Sequence, residues 1–123
     1  MTLEHAIGTA LAGIFRMPSV DDVQAAFEFD RVVFSGHARH EMRNEPLGRI
    51  REHEVTEAVA TAEQLDDYPD DEPYPSSLFL GWTSAGRPLH FVVSYDEDAG
   101  LAIVVTVYEP DPQLWNDSRE RKR

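Results

Sequence analysis

Alternation of apolar and polar positions is most regular between Pro88 and Glu109. Leu89, Phe91, Val93 and Tyr95 fall on one face of a strand, with His90, Val92 and Ser94 on the other. Leu101, Ile103, Val105 and Val107 alternate in the same way with Ala102, Val104, Thr106 and Tyr108. The connection Asp98-Ala99-Gly100 ends on a glycine, where a three-residue hairpin loop needs a left-handed residue. Glu97 then opposes Leu101. The register pairs Phe91 with Val107, Val93 with Val105 and Tyr95 with Ile103 on the core side. It pairs His90 with Tyr108 and Val92 with Thr106 on the other. A slip of one residue would mix the two sets, so burial should hold the register.

Upstream the period changes. Leu3, Ile7, Leu11, Ile14 and Phe15 follow helical spacing until Pro18. Ser19 then caps a second short helix whose apolar face is Val20, Val23, Ala26 and Phe27, with Asp21 and Asp22 at its positive end. Arg31 to Phe34 is a β-branched and aromatic run that predicts a strand. Ser35 caps a helix over about His37 to Asn44, stopped by Pro46. In that helix Ala38 and Met42 share the stripe that faces the core. His37, His40, Glu41 and Asn44 share a second stripe, and Arg39 and Arg43 a third. A further helix runs from about Glu52 to Ala62 on Val55, Ala58, Val59 and Ala62. Gln64 to Tyr68 predicts an edge strand, a proline-rich acidic loop runs from Pro69, and Ser77 to Thr83 is a strand. The expected fold is α+β, with N-terminal helices followed by a helical pair on a mainly antiparallel sheet of about four strands. The expected parts are a helical extension over 1–30, the main domain over 31–117 and a basic tail over 118–123.

Composition narrows the partners. The chain has 123 residues, the size of one domain, and no cysteine, which removes disulfides, thiolate nucleophiles and Cys-rich zinc sites. The net charge of −12 weighs against general binding of nucleic acid, which requires cations on phosphates. Four basic residues against Glu120 give the segment from Arg119 to the end a net +3, which leaves −15 on the remainder. No apolar run has the length of a membrane span, and the apolar stretch Ala6 to Phe15 lacks a basic flank of the signal-peptide kind. A cytoplasmic protein with no cofactor is the expectation.

Two groups of side chains can carry chemistry. His90 titrates near neutrality, Tyr108 opposite it can orient it, and Arg87 just before the strand can bind a phosphate or carboxylate. The bland alternative is a cross-strand His–Tyr contact on a half-exposed polar face. His37, His40 and Arg39 form the second group, at a helix start that favours anions. His37 and Glu41 are spaced as a surface pair. A metal site is not expected, because the His-Glu-x-x-His arrangement is absent and the acidic loop Asp66, Asp67, Asp70, Asp71, Glu72 lacks a calcium-loop spacing.

Four blocks, in order, resemble the bacterial family called domain of unknown function 4258. They are Phe34-Ser35-Gly36-His37-Ala38-Arg39-His40-Glu41-Met42, the stretch from Tyr68 to Ser76, Gly86-Arg87-Pro88-Leu89-His90, and Thr106-Val107-Tyr108-Glu109-Pro110 on to Trp115. The resemblance covers roughly Phe34 to Trp115. It implies a RelE/ParE-type toxin fold and a metal-independent ribonuclease of a type II toxin–antitoxin system, held by an antitoxin-like protein partner. Carried over by position, it implies catalytic roles for His37, His90 and Tyr108 and substrate binding by Arg39 and Arg87. Two departures stand out. Glu41 replaces an arginine common in the family, and Pro46 to Arg51 lengthens the link between the two helices. With the acidity of the chain, these keep a second expectation open: a non-catalytic protein-interaction module on the same scaffold, as a monomer or a dimer.

Overall fold

The computed structural model describes residues 14–123. The first expected helix, with Leu3, Ile7 and Leu11, lies outside the described residues apart from its end. That end is not helical: Phe15–Arg16 is a short strand, β1, antiparallel to Tyr95 and Asp96. Helix α1 (Val20–Glu28) follows, with Ser19 and Asp22 forming a reciprocal capping box. Strand β2 (Val32–Phe34) leads into α2 (Gly36–Arg43), then α3 (Glu52–Val59), β3 (Glu63–Tyr68), β4 (Ser76–Trp82), β5 (Pro88–Asp96) and β6 (Leu101–Tyr108). Two short strands, β7 (Trp115–Asn116) and β8 (Glu120–Arg121), pair with each other.

The main sheet is ordered β2-β6-β5-β4-β3, with β1 on β5. It has six strands rather than about four, because β1 and β2 both join it. All of its pairs are antiparallel except β2 with β6. The three helices bury one face. Val23, Ala26, Ala38, Met42, Ile50, Val55, Ala58 and Val59 pack there against Phe34, Phe79, Leu89, Phe91, Val93, Ala102, Val104 and Val107. Thus α1 shares the core of the residues that follow it, and Ala38 and Met42 face that core.

The β5–β6 register is His90 with Tyr108, Phe91 with Val107 and Val92 with Thr106. Beyond that point the expected pairing does not hold. Val93 opposes Val104, Ser94 opposes Ile103, and Asp96, not Glu97, opposes Leu101. Val105 is an extra residue, a β-bulge, which moves Ile103 off the core face and brings Ala102 and Val104 onto it. Gly100 closes the hairpin with φ +62°.

By strand alternation Leu78, Leu80, His90, Val92, Ser94 and Ile103 occupy the opposite face, and all are buried. Chain segments without long elements cover it. The β7–β8 hairpin lies over His90 and is tied to β3 by an Arg119–Glu63 ion pair at 2.5 Å. Residues 118–121 are therefore part of this cover. Among the described residues no helix is long and apolar enough to cross a membrane.

Gly81 on β4 lets the α3 backbone approach the sheet, since a Cβ there would overlap the Ala58 carbonyl. Gly81→Ala is therefore expected to cost about 3 kcal/mol by forcing helix and strand apart. Urea denaturation measures it; a loss below about 0.5 kcal/mol would contradict the close packing.

Candidate functional site

His90 has no exposed surface. Its Nε2 lies 2.5 Å from the Ser118 carbonyl oxygen, and its Nδ1 lies 3.0 Å from the Tyr108 hydroxyl. A carbonyl only accepts, so Nε2 carries the proton and donates it. Nδ1 then accepts from the tyrosine O–H. Trp115 closes the ring edge-on at 4.5 Å between centroids. Burial pulls the His90 pKa below its ordinary value, and the Ser118 carbonyl opposes that only in part. Burial pushes the Tyr108 hydroxyl up to about 12, with the nearby Tyr68 and Glu41 adding to the shift and Arg121 opposing it. Both groups are neutral at physiological pH, and both ring nitrogens of His90 are taken.

His37 and Glu41 face each other one turn apart on α2. Ser35 starts that helix: its hydroxyl accepts from the Ala38 N–H and donates to the Val105 carbonyl. The cap thus ties the helix to the bulged residue of β6. His37 Nε2 stands 3.2 Å from Glu41 Oε1. That oxygen is buried and receives no directed hydrogen bond, so the contact is one of proximity. His37 itself is exposed.

The two arginines go elsewhere. Arg87 donates from Nε to Glu109 at 2.5 Å, and from Nη1 to Glu54 and to the Arg49 carbonyl, each at 3.1 Å. It also donates to the Gly48 carbonyl. Burial alone would lower its pKa, but the two carboxylates raise it. Arg87 therefore clamps α3 and the Gly48–Arg49 link to the end of the hairpin, with four of its five N–H donors engaged. Arg39 pairs with Glu52 at 2.8 Å on the exposed side of α2. There, with Arg43, Arg49 and Arg51, it rims a shallow hollow of about 250 Å³. So the fold pairs His90 with Tyr108 and His37 with Glu41, and it commits Arg87 to Glu54 and Glu109 and Arg39 to Glu52.

Residues not singled out by the sequence complete the picture. Trp115 and Ser118 seal His90, while Glu54 and Glu109 occupy Arg87. On the outer side of Tyr108 lies a groove of about 320 Å³, lined by Pro46, Leu47, Leu114 and Trp115 and rimmed by Glu45, Glu109, Asp111 and Arg121. Burial raises the pKa of Glu45 at this rim, against opposing backbone hydrogen bonds.

Residues 34–109 match the family model described as a domain of unknown function (DUF4258). No curated protein and no solved structure matches the chain.

The buried His90 gives stability a defined pH dependence. A depressed folded pKa means that the unfolded chain takes up the proton first. The contribution is complete above the unfolded value of about 6.5 and is lost as pH falls through it toward the folded value. His90→Gln is expected to lower stability by about 2 kcal/mol at pH 8. Between pH 7.5 and 5 the wild type should lose more stability than this variant, read from urea midpoints. Parallel curves for the two proteins would refute it.

Proposed function

We propose that this chain, which belongs to the DUF4258 family, acts as a protein-interaction module that binds a basic, amphipathic segment of a partner. The observation that carries the reading is the groove beside Tyr108. Leu47 and Leu114, two of the four large apolar side chains exposed among the described residues, both line it, within a rim of three carboxylates and one arginine. Exposed apolar surface ringed by charge suits a partner's apolar side chains, and the acidic rim suits a basic one. The net charge of −12 steers such a partner toward the chain. An antitoxin-like protein would be one such partner.

A ribonuclease is the second reading, and the contact between His37 and Glu41 favours it. A carboxylate beside the imidazole can stabilise the imidazolium that forms when it takes a proton from a 2′-hydroxyl. What weakens this reading is the rest of the constellation. His90 has no nitrogen left to protonate a leaving group, and four of the five N–H donors of Arg87 are already taken by protein acceptors. Arg39 and its neighbouring arginines point to a different hollow.

Calorimetry with an amphipathic Leu/Lys peptide and its Leu/Glu counterpart tests the first reading. The basic peptide is expected to bind, and Leu47→Asp or Leu114→Asp to weaken it about tenfold, or 1.4 kcal/mol. Equal binding of the acidic peptide, or indifference to both variants, would contradict it. RNA incubated with the purified protein should stay intact. Cleavage abolished by His37→Ala would favour the second reading.

A further inference from the structure

We infer that the hollow between the start of α2, the loop 71–74 and the bulged stretch of β6 is a binding site for a small uncharged molecule. That molecule has an apolar body and one hydrogen-bonding group. The hollow holds about 290 Å³, floored by Ile103 and Val105 and walled by Pro73 and Tyr74. That is room for on the order of ten water-sized groups, at the small end of ligand pockets. Its wall is held in place, because Phe15 of β1 stacks on Tyr74 at 3.7 Å with an interplanar angle of 10°.

The hydrogen-bonding group is called for by Ser94. This residue is wholly buried, lines the hollow, and its Oγ has no partner among the described residues. A buried hydroxyl left unpaired is destabilising, and surviving cases ask for an explanation. No neighbouring polar group lies within hydrogen-bond reach of it. The Val105 carbonyl is met instead by Ser35, and Asp71 by Ser76 at 2.7 Å. A hydroxyl or carbonyl on a bound molecule can fill that place.

The charge of the molecule follows from the mouth. Asp71, Glu72 and His37 line it, and the two carboxylates oppose an anion there, while the apolar floor makes a buried cation costly. The β-bulge builds the site. Without the extra Val105, Ile103 would turn into the core and the floor beside Ser94 would be lost. This site is separate from the Leu47–Leu114 groove, so its test is independent of the proposed partner.

The full chain is titrated with p-cresol and with toluene, followed by NMR of the Ile103 and Val105 methyl groups. Both probes should shift these methyls, with p-cresol binding about fivefold tighter than toluene. Ser94→Ala should abolish that difference and leave toluene unchanged. Val105→Trp, at a half-buried position, should fill the hollow and remove the Ile103 response to both probes while the melting temperature shows that the fold persists. No shift at these methyls with either probe, or the same preference for p-cresol in Ser94→Ala, would overturn the proposal.

Discussion

An imidazole cannot be buried at this cost unless both of its nitrogens are paired, and His90 meets that requirement through two different parts of the chain. Tyr108 from the adjacent strand supplies the acceptor nitrogen with a proton, and Ser118 from beyond the last long strand supplies an acceptor for the other. The hairpin β7–β8 must therefore fold back over the sheet, bringing Trp115 onto the ring and Arg119 to Glu63. Asp117 and Ser118 both take positive φ, 50° and 61°, at the turn that aims the Ser118 carbonyl inward. The sheet thereby acquires a second buried face without a second layer of helices. The residues with most chemical promise become the clasp that holds that face shut.

Arg87 does the same work on the edge of the domain. Its two half-buried carboxylate partners come from α3 and from the residue after β6, and its carbonyl acceptors from the link at Gly48 and Arg49. Gly48 has φ +118°, which places that link beside the guanidinium. Removing one member of such a set leaves a charge half-buried and unpaired, so the contacts hold as a group. A planar five-donor fork suits this task better than an ammonium.

The hairpin was legible where alternation carried information and illegible where it did not. His90, Phe91 and Val92 find their partners as expected because polar and apolar residues there differ. Past them the run Ile103-Val104-Val105-Thr106 is β-branched throughout, so neither face is marked and an inserted residue leaves no trace. Ser19, Ser35 and Gly100 were readable because a cap or turn is a local demand. Phe15 was misread because an apolar residue at helical spacing serves equally well in a two-residue strand whose partner lies far along the chain. The candidate site was legible as a set of residue types. The acidic partners of Arg87 and the cover over His90 were not, because they depend on segments brought together only by the fold.

If His90 is a clasp and not a proton carrier, its tautomer is the quantity to measure. Ring nitrogen NMR of the full chain should show one fixed neutral form, with the proton on Nε2, persisting below the ordinary histidine range. A ring that averages between tautomers, carries its proton on Nδ1, or titrates as a solvent-exposed histidine would contradict the closed network on which the second face of the sheet depends.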